Sequence, residues 1–434
     1  MRTTLRTLLL FFIFALPFGT KKFVSALLPR FFENAREFSS FFIYGTDVLA
    51  LLIIGIALFY FGREFFRGGA GMKWLITFFA LTLFSLLFTM NFRYGTYVLC
   101  ELVIALLLAL TVKGALSKEV AGFHSICVAL GFSAFIQAVI AILQFYYQKS
   151  IGLWFLGEPV ADVATKGVAR VTIDGVSYLR SFGTLPHANI LAAFLVLGFI
   201  ALAYTYFTVA PGAKGSRIAS VLGMATILCG LVFTFSRSGW LIAGLSIFTV
   251  LAYGFTKHEF RRVALRFLGV VAVSGALLAY FFGWAIAPRV GFVKGEASVD
   301  HRVFYNEIGI TLIKSHPLDV GIGNQVITAD ANELYVEKGL PQIWLAQPVH
   351  NIYILIASEL GILGIIVFLV LLFYAFRAVR FKYPKLVFAG IMFASLLAFG
   401  LVDHFPWDLH AGRLMFWVMF GIMVGLSAEH SRPS

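Results

Sequence analysis

Three basic residues, Arg180, Arg237 and His350, each lie at or just before the start of a long apolar segment. If each segment is a helix, its N-terminus carries unpaired N–H groups and the positive end of the helix dipole, which attract anions. Arginine adds a planar fork of donors that matches the oxygens of a phosphate. Together the three positions predict a site for a phosphate-bearing lipid.

Arg237 belongs to Phe235-Ser236-Arg237-Ser238-Gly239-Trp240, a short polar break between two apolar runs. We predict a hairpin tip in which Ser238 caps the following helix and Arg237 stands at the dipole end. A cation there is disfavoured unless it shares an anion with the helix. Phosphate binding is therefore preferred over the alternative, in which Arg237 only reaches out to lipid headgroups.

Arg180 lies upstream of Gly183-Thr184-Leu185-Pro186-His187-Ala188-Asn189, where Pro186 suits a first helical turn. We expect Arg180 to bind the ligand. His187 and Asn189 fall at the predicted membrane rim, where a substrate contact and a structural hydrogen bond fit the sequence equally well.

His350 opens the tenth apolar segment, and a helix N-terminus disfavours its charged form. A neutral imidazole can accept a proton, so His350 is the candidate catalytic base, although a hydrogen-bonded interfacial histidine is the simpler alternative. Arg302 is a third candidate phosphate contact, and Asn351 has a substrate or structural role. The rival bases flank one predicted helix; they are His301 and His316.

A group of acidic and histidine residues crowds the last predicted external turn, followed by Arg413. Carboxylates and imidazoles bind divalent ions, but this spacing fits no specific ligand pattern, so the sequence predicts neither a metal site nor a cofactor. The group comprises Asp403, His404, Asp408 and His410.

The composition excludes a soluble globule. Of 434 residues, 60% are hydrophobic and 13% charged, and the mean hydropathy is +0.91, which leaves too little polar surface to coat a soluble domain. A membrane span needs about 20 apolar residues, so we predict an all-α polytopic bundle of about twelve transmembrane helices. The predicted segments are 5–19, 41–62, 74–90, 95–112, 120–146, 187–208, 218–235, 239–256, 267–287, 350–374, 386–402 and 413–427.

The chain divides into an N-terminal transmembrane scaffold, residues 1–150 with helices 1 to 5, and a catalytic region, residues 151–434. The catalytic region includes a large periplasmic loop, residues 288–349, between helices 9 and 10. Within the loop, Asp300 is expected to cap an amphipathic interfacial helix that ends at Ser315. Glycines at 321 and 323 predict a tight turn.

The net charge of +13 comes from basic residues scattered over short connections rather than gathered on one face, which argues against nucleic acid as a partner. Basic residues exceed acidic ones on the side of both termini, which places that side in the cytoplasm. The first apolar segment also has features of a cleavable signal; Lys21 and Lys22 favour its retention. Few ionisable residues fall deep within the spans, namely Glu101, His124 and Asp47. Because ion-coupled transporters usually need such residues at mid-membrane, this scarcity argues against a transporter.

At these residues the chain resembles the O-antigen ligase superfamily, over about residues 175–427. The resemblance rests on Arg180 with the Gly183–Asn189 segment, on Phe235–Trp240, on Arg302 followed by His316-Pro317-Leu318-Asp319-Val320-Gly321-Ile322-Gly323, and on His350-Asn351. It implies an all-helical protein of about twelve spans, in the bacterial cytoplasmic (inner) membrane, with its active site facing the periplasm.

Members of that family move a glycan from a polyprenyl pyrophosphate carrier to an acceptor hydroxyl, apparently without an essential metal. The resemblance implies that Arg180 and Arg237 hold the pyrophosphate and that His350 activates the acceptor, which can be glycan, lipid or protein. An O-antigen ligase-like enzyme that inverts the anomeric centre is the leading interpretation. A polysaccharide polymerase of the same family and a transporter or flippase for lipid-linked sugars are the alternatives.

Overall fold

The computed structural model describes residues 1–26, 40–67, 70–210, 212–290, 297–339, 346–377 and 379–430. These residues form a bundle of α-helices with two small two-stranded sheets. The helices are Arg2–Ala15 (α1), Gly45–Phe61 (α2), Ala70–Ser85 (α3), Phe92–Ser117 (α4), Phe123–Tyr147 (α5), Ala188–Thr208 (α6), Lys214–Phe233 (α7), Arg237–Thr256 (α8), Arg261–Val290 (α9), Ala297–Ser315 (α10), Gln325–Ala331 (α11), Leu334–Glu337 (α12), Ile352–Phe376 (α13), Pro384–Gly400 (α14), Phe405–Asp408 (α15) and His410–His430 (α16).

The predicted all-α membrane bundle is confirmed. Every predicted apolar segment contains a helix, and ten helices within the described ranges are long and apolar enough to cross a membrane. Two predicted spans form shorter helices, α1 with 14 residues and α14 with 17. The helix α6 lies at the centre of the bundle, where 94% of its most apolar stretch is buried, and it is accordingly apolar on every side. The helix α9 lies at the periphery, and only 11% of its corresponding stretch is buried.

Two antiparallel strand pairs were not predicted. Lys21–Ala26 (β1) pairs with Ser40–Tyr44 (β2), and Arg170–Ile173 (β3) pairs with Val176–Leu179 (β4). The second hairpin turns through Asp174 and Gly175, which both have positive φ, as a two-residue hairpin loop requires. Because β4 ends at Leu179, this hairpin sets the position of Arg180.

The segment between α9 and α13 builds a small core of its own. The apolar face of α10, with Tyr305, Ile308 and Leu312, packs with residues of α11 and α12, and α10 also contacts α13. The apolar face of α10, which we expected to lie on the membrane surface, is therefore buried against other parts of the protein. The helix begins at Ala297, so the prediction that Asp300 caps a helix starting at His301 is wrong: the helix starts four residues earlier.

The predicted tight turn after α10 is confirmed, since Gly321 and Gly323 have φ of +84° and +70°. This turn inserts beside α13, where the Val320 N–H donates to the Ser358 carbonyl at 3.0 Å. The helix α13 is broken at Gly361, with φ 69° and ψ −177°, a conformation essentially restricted to glycine. A Cβ on Gly361 would lie 1.6 Å from the Leu318 carbonyl oxygen. The turn and the break therefore depend on each other.

We predict that Gly361→Ala greatly reduces the yield and thermal stability of the folded protein. The substitution adds a steric clash with Leu318 to a backbone strain of about 1–3 kcal/mol. Thermal unfolding in detergent measures the loss. Gly275→Ala in α9 is the matched control, because a Cβ there meets nothing within 4 Å and alanine favours the helix. Equal melting temperatures for the two variants would contradict the prediction.

Candidate active site

Arg180 is fixed by two neighbouring segments. Its Nε donates to the Thr234 carbonyl at 2.8 Å, in the turn between α7 and α8. Its Nη2 donates to Asn189 Oδ1 at 2.7 Å, in the first turn of α6. These contacts hold the guanidinium plane and leave Nη1 as a donor for a ligand.

Asn189 connects the parts of this site. Its Oδ1 also accepts from the Ser236 hydroxyl at 3.1 Å, and its Nδ2 donates to Asp403 Oδ2 at 2.8 Å. Both Asn189 and Asp403 are buried. The amide therefore joins Arg180 to the start of α8 and to the connection between α14 and α15. We call the surface at the N-terminal ends of α6, α8 and α13 the site face.

Arg237 is the first residue of α8, at the helix end predicted for it. The capping residue is Ser236, whose Oγ accepts from the Gly239 N–H at 3.2 Å. The prediction that Ser238 caps this helix is therefore wrong. Because α8 begins at Arg237, Ser238 already lies in the first turn, and only Ser236 precedes the helix in extended conformation.

His350 lies immediately before α13. Its Nδ1 is 3.0 Å from the Pro348 carbonyl, which can only accept, so Nδ1 carries the proton and Nε2 keeps a lone pair. The ring stacks on Tyr305, with centroids 5.1 Å apart, and meets His404 edge-on at 4.9 Å. These contacts orient a neutral imidazole that can accept a proton at Nε2.

Asn351 has a structural role at the same helix end. Its Oδ1 accepts from the backbone N–H groups of Tyr353 and Ile354, and its Nδ2 donates to the Leu401 carbonyl at 3.2 Å. It therefore caps α13 and ties the helix start to the end of α14, which keeps His350 beside His404.

Four arginines concentrate positive charge at the site face. Burial lowers the pKa of Arg180 to about 9, and the charges of Arg289, Arg302 and Arg237 add to this effect. Arg302 is half-buried, and its Nε is buried without a hydrogen-bond partner. Like charges gathered in a partly desolvated site favour the binding of an anion.

Sequence reasoning missed Arg289, the fourth of these arginines. Its Nη2 lies 3.3 Å from the Phe235 carbonyl, which places the end of α9 beside the start of α8. The available signal was a basic residue directly after Pro288, at the end of the ninth apolar segment.

His187 and His350 are both held neutral. Burial, together with the positive charge of Arg180, lowers the pKa of His187 to about 4. His187 Nδ1 accepts from the Asn189 N–H at 3.2 Å, so the residue caps α6. Burial also lowers the pKa of His350 to about 3, aided by His404 and Arg302.

Part of the acidic and histidine group also belongs to this site. Burial alone would lower the pKa of His404, but the Asp408 carboxylate, 2.8 Å from His404 Nδ1, raises it above its usual value. Burial alone would raise the pKa of Asp403, yet His404, His350 and His187 lower it to about 2. An ionised Asp403 therefore lies beside His404, whose charged form is favoured by Asp408.

The remaining histidines are placed differently. His410 stacks on Tyr44 and contacts Glu101 instead. His316 pairs with the Ser315 hydroxyl at the end of α10 remote from Arg302, and His301 is exposed. Of the three candidate bases, His350 is the one that packs against His404, and the charge of Arg302 reaches it and lowers its pKa.

Residues 222–369, from α7 into α13, match the family model described as O-antigen ligase. The matched region contains Arg237, Arg289, Arg302 and His350. No curated protein sequence gives a significant match. The match covers about a third of the chain, and over these residues the protein is similar to O-antigen ligases, which supports the resemblance to that superfamily.

Proposed function

We propose that this protein transfers a glycan from a polyprenyl pyrophosphate carrier to an acceptor hydroxyl, as an inverting, O-antigen ligase-like glycosyltransferase. The observation that carries the proposal is the gathering of Arg180, Arg237, Arg289 and Arg302 at one end of the bundle, where the charge of Arg302 also reaches the neutral His350. A pyrophosphate diester carries the negative charge that a cluster of arginines attracts.

The arginines would stabilise the departing pyrophosphate. Guanidinium groups pair with phosphate oxygens through charge-assisted hydrogen bonds, and the N-termini of α6, α8 and α13 add oriented N–H groups. As the bond between the anomeric carbon and the phosphate oxygen breaks, negative charge grows on that oxygen. Fixed donors in a partly dry site stabilise such charge without reorganising.

His350 would act as the general base. The acceptor oxygen attacks the anomeric carbon, its proton passes to Nε2, and the pyrophosphate leaves from the opposite side, which inverts the centre. A pKa of about 3 makes the resting imidazole a weak base. A bound pyrophosphate raises that pKa because nearby negative charge favours the imidazolium.

The proposed location is the bacterial inner membrane, with the site face towards the periplasm. Supporting this, Arg63, Arg67 and Lys118 lie at the ends of α2 and α4 remote from the site, as an excess of cytoplasmic basic residues requires. Every site residue described above lies within residues 151–434, consistent with a scaffold in residues 1–150. A polymerase would use the same site, and product length distinguishes it from a ligase.

We predict that His350→Ala lowers glycan transfer at least about 100-fold, because general-base catalysis contributes about 10² to 10⁴ in rate. The assay uses proteoliposomes with labelled polyprenyl-pyrophosphate glycan and candidate acceptors. His316→Ala, which alters a histidine outside the cluster, is the control and should keep full activity.

The same vesicles separate the enzyme from a carrier of lipid-linked sugars. Covalent transfer by the wild-type protein supports the proposal, whereas movement of the donor across the bilayer without transfer refutes it. If His350→Ala transferred glycan at the wild-type rate, His350 would not be the general base.

We predict that Arg302→Lys lowers transfer about 10- to 100-fold although the charge is kept, because losing one charged hydrogen bond costs about 1.5–3 kcal/mol. One ammonium group cannot reproduce the arginine fork. Initial rates over a range of donor concentrations measure the effect. Arg377→Lys, at the end of α13 remote from the site, serves as the control, and equal rates in both variants would exclude a fork-type contact at Arg302.

The pH profile tests the state of His350. The base must be neutral, and its pKa of about 3 lies well below the ordinary 6.5. Lowering the pH from about 7 to about 5 therefore leaves His350 unprotonated, and kcat/KM, which reports the free enzyme, should fall little. An acidic limb centred near the ordinary histidine value would show that His350 is not held neutral in this way.

A further inference from the structure

A second cluster of ionisable side chains joins α2, α4 and α16. Asp47, Glu101 and His410 are 6%, 8% and 6% exposed, and one donor atom from each lies within 4.8 Å of the others. None of them contacts His350 among the interactions described above. Two carboxylates and an imidazole buried together need positive charge between them.

The spacing of the donor atoms suits a single metal ion. His410 Nδ1 lies 2.9 Å from Glu101 Oε2 and 3.6 Å from Asp47 Oδ1. Ligands that bind one ion at about 2.0–2.2 Å are separated from each other by about 3.0–3.6 Å. The side chains therefore need little movement to bind one ion together.

Thr46 orients the imidazole. Its Oγ1 lies 2.8 Å from His410 Nε2 and is able to accept the Nε2 proton, which leaves the Nδ1 lone pair facing the carboxylates. Metal-bound histidines commonly donate their other ring N–H to an oxygen in this way. Tyr44 stacks in parallel on the ring at 3.7 Å and restrains its rotation.

Asp47 supplies an independent observation. Its Oδ1 is buried and has no hydrogen-bond partner among the described residues, although it faces His410 Nδ1. A proton on Nδ1 would reach Glu101 at 2.9 Å and leave Asp47 Oδ1 at 3.6 Å unsatisfied. A buried unpaired acceptor is costly, and a metal ion would satisfy both carboxylates at once.

We propose that Asp47, Glu101 and His410 bind a divalent transition-metal ion with a structural role. Nitrogen and carboxylate ligands suit Zn²⁺ or Mn²⁺. The ion would tie α2 and α4 to the start of α16. This inference does not depend on the proposed glycan transfer, because metal content is measured without any substrate.

Arg413 links the metal site to the site face. Its Nη1 lies 3.6 Å from Glu101 Oε2, while Nε and Nη2 donate to the carbonyls of Trp407 and Asp408 at 2.9 Å. Arg413 therefore connects the short helix α15 to Glu101 of the proposed metal site. Because Asp408 binds His404, the ion would stabilise the carboxylate and imidazole pair that backs His350.

The test is the metal content of the full-length, tag-free protein in detergent. Protein is loaded separately with Zn²⁺ and Mn²⁺, desalted to remove loosely bound ions, and analysed by mass spectrometry of the elements. We expect about one ion per chain for one of these metals, and at least about a ten-fold loss in Asp47→Asn and Glu101→Gln. Glu64→Gln, at the opposite end of the bundle beside Lys118, is the control and should retain the ion.

Thr46→Val keeps all three ligands and loses only the orienting hydroxyl, so we expect about a ten-fold weaker affinity in a competition assay with a chelator. Retention of the ion by Asp47→Asn and Glu101→Gln would overturn the proposal. So would a wild-type protein that takes up neither metal in stoichiometric amount. Lower melting temperatures of those variants, with no metal in the wild type, would indicate a proton-linked ion cluster instead.

Discussion

The site face is organised around four arginines whose charges repel one another. Arg180 is half-buried, and three further arginines lie near enough to lower its pKa. The nearest acid in this network, Asp403, is separated from Arg180 by the Asn189 amide and lies beside His404. A bound anion would relieve this repulsion. Tighter binding of the anion would therefore stabilise the site face more.

The fold supplies the energy that keeps those charges together. The hairpin of β3 and β4 positions Arg180, the Ser236 cap fixes the start of α8, and the break of α13 at Gly361 admits the turn after α10. Each feature pairs backbone groups that would otherwise lack hydrogen-bond partners. The cost of gathering like charges is therefore offset by contacts made elsewhere, chiefly by the central packing of α6.

The sequence predicts the helices well because a membrane span has a strong signal in length and hydropathy. It also selects Arg180, Arg237 and His350 as site candidates, since each is a basic residue at an apolar boundary. Neighbours in space are harder to predict: the pairing of Asn189 with Asp403 spans 214 residues. The strands β3 and β4 are not predicted from hydropathy, because they are short and lie outside the apolar segments. The dipeptide Asp174-Gly175 is the local signal for their hairpin.

Errors of two and four residues at helix starts have a common cause. Ser236 and Ser238 are equally suited to capping, and only the backbone conformation before Arg237 decides between them. Asp300 likewise precedes an apolar run, but contacts within the segment begin α10 earlier. Capping chemistry thus predicts that a helix starts nearby, whereas packing selects the residue.

The low pKa of His350 gives the proposed reaction an order. Burial and nearby positive charge make the resting imidazole a weak base, and the same positive charge attracts the donor. Once the pyrophosphate binds, it neutralises those charges and strengthens the base beside it. The acceptor hydroxyl is then activated only when the leaving group is in place. The positive charge of the arginines would therefore attract the donor and also delay proton transfer to His350 until the donor is bound.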